Sequence, residues 1–149
     1  DMAINGGNAG TAVDVSSPLP GKSKTILLID DDESVRHSLS MLFEIHGWRT
    51  IAAPSGAEAI IVLQNEAIDL IVTDIFMPDF DGLEMLREVS KQWPELPTIV
   101  LSGKPNWGDI DWLRMARHLG AHAVLEKTSA FDDVLREVEA AVLLGADAI

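Results

Sequence analysis

Cysteine is absent from this chain of 149 residues. Its absence excludes a disulfide framework and any thiolate metal site, and it fits a reducing compartment such as the cytosol. Basic residues are scarce too, 11 Lys and Arg against 24 Asp and Glu, for a net charge of −13. Gripping a nucleic acid or an anionic membrane surface relies on clustered cations, so neither is expected as a direct partner. No apolar run approaches the roughly 18 residues that a membrane-spanning helix needs. What is present, 47% hydrophobic and 23% charged residues, suits one globular domain with a real core, and with the missing cysteine a cytoplasmic location is expected.

Residues 1–23 stand apart. Asn5-Gly6-Gly7-Asn8-Ala9-Gly10 and Val15-Ser16-Ser17-Pro18-Leu19-Pro20-Gly21 are dense in turn formers and show no periodicity. A flexible leader is expected there. It has neither the basic start nor the apolar stretch of a secretory signal, and its opening Asp1-Met2 fits an expression scar or a cut from a longer chain. The globular domain is expected over 24–145, with a short tail at 146–149.

From Lys24 onward, short apolar runs alternate with longer amphipathic ones. Strands are predicted over 25–29, 49–53, 70–73, 98–101 and 123–125, and helices over 33–46, 55–67, 82–93, 109–119 and 130–144. Val35, Leu39, Leu42 and Phe43 recur at helical spacing, as do Val134, Leu135, Val138, Ala141 and Val142, so each of those helices has one face to bury. The strand runs do not alternate apolar with polar, which implies burial on both faces. The expected class is therefore α/β, a five-stranded parallel sheet with helices on both sides and right-handed crossovers.

Acidic residues gather where two strands end. Thr25-Ile26-Leu27-Leu28-Ile29 runs into Asp30-Asp31-Asp32, and Leu70-Ile71-Val72-Thr73 runs into Asp74. Two carboxylates about 4 Å apart repel by roughly 4 kcal/mol at an effective dielectric of about 20, so such a cluster is useful chiefly if a cation or phosphoryl group occupies it. In open sheets of this class, ligands bind beyond the carboxyl ends of the strands, where Asp30, Asp31, Asp74 and Ser102 all lie. Asp32 is read differently, as the N-cap of the first helix, since one cap does not need three carboxylates. Asp79 and Asp81, around Pro78 and before Gly82, are read as turn and helix-start residues. His37, His46, His118 and His122 have no metal-ligand spacing with the acidic cluster.

Four motifs now coincide: Ile26-Leu27-Leu28-Ile29-Asp30-Asp31-Asp32-Glu33-Ser34-Val35-Arg36, the stretch from Asp69 through Asp74-Ile75-Phe76-Met77-Pro78 to Gly82, Ile99-Val100-Leu101-Ser102, and Gly120-Ala121-His122-Ala123-Val124-Leu125-Glu126-Lys127. Together they resemble the receiver domain of two-component response regulators, over residues 24 to about 144. The resemblance implies a three-layer, doubly wound (βα)5 fold with strand order 2-1-3-4-5. It implies that Asp74 is the phosphoacceptor, a carboxylate nucleophile phosphorylated by a sensor histidine kinase or a histidine phosphotransfer protein. Mg²⁺ would be held by Asp31 directly, by Asp30 through water, by Asp74 and by the main-chain carbonyl of Phe76. Ser102 and Lys127 would bind the phosphoryl group, and the Ser102 switch would reposition the face of the fourth helix, fifth strand and fifth helix towards a downstream protein. The chain would be no enzyme beyond its own phosphoryl transfer and dephosphorylation.

Departures from the family pattern matter as well. Val124 occupies the position of the aromatic switch residue, and the chain has no tyrosine. Thr128 replaces the usual proline after Lys127, so a trans peptide is expected there. The span from Ser102 to Gly120 is longer than in most receivers, with Gly103-Lys104-Pro105-Asn106-Trp107-Gly108 read as an extended loop and with Trp107 and Trp112 near the expected signalling face. Phe76 and Lys104, each two residues beyond a site residue, are expected to shield the phosphoryl group from water. Two other readings stay open: a haloacid-dehalogenase-type phosphohydrolase, with Asp30 as nucleophile and Asp32 as acid/base, and a phosphorylation-independent pseudo-receiver. The residues do not decide whether the fourth and fifth helices make a homodimer.

Overall fold

The computed structural model describes residues 24–75, 82–103, 106–107, 110–127 and 129–147. The expected leader at 1–23, Phe76, Asp79, Asp81, Lys104 and Thr128 lie outside these residues. The chain runs through β1 (Thr25–Ile29), α1 (Glu33–Ile45), β2 (Arg49–Ala53), α2 (Gly56–Asn65), β3 (Leu70–Thr73) and α3 (Gly82–Gln92). It continues with β4 (Thr98–Ser102), β5 (Asn106–Trp107), β6 (Ile110–Asp111), α4 (Trp112–His118), β7 (Ala123–Glu126) and α5 (Phe131–Asp147). Five strands form one parallel sheet in the order β2-β1-β3-β4-β7. Counting β7 as the fifth sheet strand, this is the expected 2-1-3-4-5.

Every residue of β1 is buried, and successive side chains serve opposite faces. Ile26 and Leu28 pack with Phe43 of α1 and with Val134, Val138 and Ala141 of α5. Leu27 and Ile29 pack with Ala59 and Leu63 of α2 and with Met85 and Val89 of α3. A strand sandwiched this way needs apolar residues at every position, which is why no alternation is visible in its sequence. A third cluster joins Ile75, Val100 of β4, Leu83 and Leu86 of α3 and Ala116 of α4, with Val124 against it. Helices α1 and α5 thus cover one face, and α2, α3 and α4 the other.

The helix ends are set by local chemistry. At the start of α1 the Asp32 carboxylate accepts from the Ser34 and Val35 N–H groups at 2.9 and 3.4 Å. At its far end Gly47 takes a φ of 93°, which lets the Trp48 N–H reach back to the Phe43 carbonyl at 3.0 Å. Ser55 caps α2 by accepting from the Glu58 N–H at 3.2 Å.

One expectation is corrected. The fourth helix does not begin at 109 but at Trp112, because a short antiparallel pair joins Asn106–Trp107, within the stretch read as an extended loop, to Ile110–Asp111, within the stretch read as helix. Residues 110 and 111 spend their backbone groups on that pair and are not free to start a helix. Elsewhere the predicted strands are recovered, β4 and β7 each one residue longer at the carboxyl end.

The start of α3 bears directly on the site. A Cβ on Gly82 would lie 2.4 Å from both the Cα and the carbonyl oxygen of Ile75. Only glycine lets the helix begin against the backbone of the residue that follows Asp74. Gly82→Ala is therefore expected to cost about 1–3 kcal/mol in urea denaturation, because the helix must move away from β3.

Candidate functional site

Strand order decides what meets at the carboxyl edge of the sheet. The chain crosses from one side of β1 to the other after β2, so the ends of β1 and β3 are neighbours at the switch point. Asp30 follows β1, Asp74 follows β3, Ser102 ends β4 and Lys127 follows β7. Carboxylate oxygens of Asp30, Asp31 and Asp74 lie within 4.8 Å of one another. Asp30 and Asp74 are buried, whereas Asp31 is exposed.

Buried charge has to be paired. The Lys127 ammonium sits 2.8 Å from Asp30 Oδ2 and 2.8 Å from Asp74 Oδ2, bridging the two carboxylates. Its backbone N–H donates to the Ser102 carbonyl at 2.9 Å, which ties the end of β7 to the end of β4. Burial alone would lower the Lys127 pKa. Hydrogen bonds to Asp30 and Asp74, with their negative charge, outweigh that effect and raise it above the ordinary value of 10.5.

The backbone around both acids is fully occupied. The Asp74 N–H donates to the Ile29 carbonyl at 3.0 Å, and the Thr73 hydroxyl donates to the Asp74 carbonyl at 2.7 Å. Asp30 donates its N–H to the Ala53 carbonyl at 3.2 Å, while Asp30 Oδ1 accepts from the Asp32 N–H at 2.9 Å. Arg36 Nη1 donates to the Asp30 carbonyl at 2.7 Å. Arg36 had no role in the sequence reading. The available signal was its position in the first turns of α1, a cation following three acids.

Of the residues named from the sequence, the structure brings together Asp30, Asp31, Asp74 and Lys127, with Ser102 fully buried at the adjoining strand end. Phe76 and Lys104 lie outside the described residues. Val124 pairs in register with Val100 and packs into the cluster between the sheet, α3 and α4. Asp32 caps the α1 N-terminus through Oδ1, as read from the sequence. The donor set of the cluster is oxygen only, and its single ammonium pairs with two of the three carboxylates, Asp30 and Asp74. Hard oxygen donors with uncompensated negative charge fit a small divalent cation.

Comparisons with known proteins give the family and the fold. The family model for the response regulator receiver domain matches residues 26–139. The chain is similar to the response regulator MprA of Mycobacterium sp. (strain KMS), 33% identical over 116 residues that cover 77% of this chain and 49% of MprA. Curated relatives of this kind are matched over about half of their length or less. Its fold is similar to the CheY-like receiver domain protein of Methanospirillum hungatei JF-1, with a TM-score of 0.80 at 24% identity over 86% of this chain and all of that one. It is also similar to the response regulator TrrA of Thermotoga maritima, solved in complex with Mg(2+)-BeF, with a TM-score of 0.70 at 26% identity over 79% and 98% of the two chains.

Two outcomes follow from these bonds. Asp32→Ala is expected to lower stability by about 0.5–2 kcal/mol in chemical denaturation, through loss of the cap alone, and to leave Mg²⁺ affinity measured by calorimetry unchanged. Because the folded-state pKa of Lys127 is raised, its stabilising contribution is complete below 10.5 and is lost as pH climbs through the folded value. In EDTA, the stability difference between wild type and Lys127→Met should therefore be flat across neutral pH and shrink only in the alkaline range above 10.5, as followed by urea melts over pH.

Proposed function

The chain belongs to the response regulator receiver domain family, and from that premise we propose that it is a phosphoacceptor in a two-component phosphorelay. In this reading Asp74 takes a phosphoryl group from the phosphohistidine of a sensor histidine kinase or a histidine phosphotransfer protein, in a Mg²⁺-dependent step. The observation that carries it is the buried pair of carboxylates, Asp30 and Asp74, bridged by Lys127 at 2.8 Å to each. Such a pair costs free energy unless something positive or phosphorylated uses it.

Asp74 acts as the nucleophile: a carboxylate oxygen attacks phosphorus, the phosphorus–nitrogen bond of the donor breaks, and the imidazole leaves with that electron pair. Lys127 holds Asp74 Oδ2 at 2.8 Å, which fixes the orientation of the carboxylate, and then balances the charge of the aspartyl phosphate. Ser102 offers its hydroxyl to a phosphoryl oxygen from the end of β4. Asp30, Asp31, Asp74 and the main-chain carbonyl of Phe76 would hold Mg²⁺. When bound, the ion neutralises repulsion between the Asp74 carboxylate and the incoming phosphoryl oxygens. Phe76 and Lys104, each two residues beyond a site residue in the sequence, would limit access of water to the acyl phosphate.

Output runs through the surface of α4, β7 and α5 to a downstream protein in the cytoplasm. Val124 cannot swing an aromatic ring inward, so the signal passes from Ser102 through β4 to the packed contacts of Val100, Ala116 and Val124. No helix of the described residues is long and apolar enough to cross a membrane.

Incubation with Mg²⁺ and acetyl phosphate, followed by intact-mass measurement, tests the reading. One labile phosphoryl group is expected on wild type and none on Asp74→Asn. An unmodified wild type would leave a pseudo-receiver, and modification that persists in Asp74→Asn but disappears in Asp30→Asn would move the nucleophile to β1.

A further inference from the structure

Arg36 has no task in the phosphotransfer reading, although it makes one of the shortest bonds at the site. Its Nη1 donates to the Asp30 main-chain carbonyl at 2.7 Å. A guanidinium beside an acidic cluster would ordinarily fork onto a carboxylate, where the bonds are charge-assisted and bidentate. Among the described residues, no ion pair of Arg36 with an acid is found, and the bond goes to a backbone oxygen instead. The backbone N–H of Arg36 already closes the first turn of α1 on Asp32 at 3.1 Å, so the helix does not depend on this side chain.

The bond fixes the plane of the peptide that joins Asp30 to Asp31. Asp30 is also held by its N–H, by both carboxylate oxygens and by burial. Asp31 is not: its carboxylate is exposed and makes no hydrogen bond or ion pair among the described residues, so the backbone alone aims it. We propose that Arg36 is a positioning residue for the divalent-cation site, clamping the Asp30–Asp31 peptide so that the Asp31 carboxylate faces Asp30 and Asp74. The inference rests on reading those three acids as a cation site.

Charge and position make opposite forecasts. A fixed positive charge near the cluster repels a divalent cation, so if Arg36 acted by charge alone its removal would tighten binding. If it acts by orienting a ligand, removal weakens binding, as loss of an outer partner of a metal ligand commonly does.

Calorimetric titration of the full chain with Mg²⁺, together with thermal melts in EDTA, separates the two. Arg36→Met is expected to bind Mg²⁺ about tenfold more weakly while melting like wild type. Unchanged or tighter binding overturns the proposal, and so does weaker binding accompanied by a lower melting temperature, which assigns Arg36 to holding the strand end only. Should Arg36→Met not melt cooperatively, Arg36→Lys decides, since it keeps the charge on a side chain one bond shorter: weaker binding supports positioning and wild-type binding overturns it. Asp31→Asn keeps the two readings apart. If wild type takes up no Mg²⁺, or Asp31→Asn binds as well as wild type, the cation site itself fails. Binding that is lost in Asp31→Asn and retained in Arg36→Met overturns the inference alone.

Discussion

The bridge from Lys127 to Asp30 and Asp74 is the interaction on which the site depends. It joins the ends of three strands, β1, β3 and β7, through one ammonium lying 2.8 Å from two buried carboxylates. Without a cation between them, those carboxylates would repel each other in a poorly solvated place. With it, the edge of the sheet carries an anionic centre that is held in position and still incompletely neutralised, since Asp31 stands beside it without a cationic partner among the described residues.

Behind that arrangement the central strands are apolar along their middles, their buried polar residues Thr25, Thr73, Thr98 and Ser102 lying at strand ends. Both faces of β1, β3 and β4 are packed with aliphatic side chains, in clusters that also anchor α1, α5, α2 and α3. Packing at this density leaves little room for the strands to shift against one another. The acids therefore inherit their spacing from the core, while the adjoining turns refine it: Asp32 through its N–H to Asp30 and its cap on α1, Thr73 through its hydroxyl to the Asp74 carbonyl, and Arg36 through the Asp30 carbonyl. Gly82 contributes by absence, since the missing Cβ lets α3 begin against Ile75.

Legibility followed the range of the interactions. The sheet strands were readable because a doubly covered parallel strand demands uninterrupted apolar residues, as in Ile26 to Ile29. The division of labour among Asp30, Asp31 and Asp32 was readable because one helix start takes one cap, and Asp32 is that cap. The segment after Ser102 was misjudged because the antiparallel pair of Asn106–Trp107 with Ile110–Asp111 competes with helix over so few residues that no period distinguishes them. Arg36 was overlooked because its partner is a main-chain oxygen, and nothing in side-chain composition marks a carbonyl as a recipient.

By itself, the sequence determined the α/β class, the places where strands end, the acids and the lysine that stand at those ends, and the family to which the chain belongs. These are local or periodic properties, written in hydrophobic spacing and in residue type. The tertiary structure alone decided which of those ends touch. Asp30 and Asp74 are far apart along the chain, and Lys127 is farther still; the strand order β2-β1-β3-β4-β7 sets the ends of β1 and β3 side by side, and the Lys127 side chain reaches them from the end of β7, beyond β4. It also decided that Asp31 stays exposed while Asp30 and Asp74 are buried, because burial depends on what the rest of the chain lays over a residue.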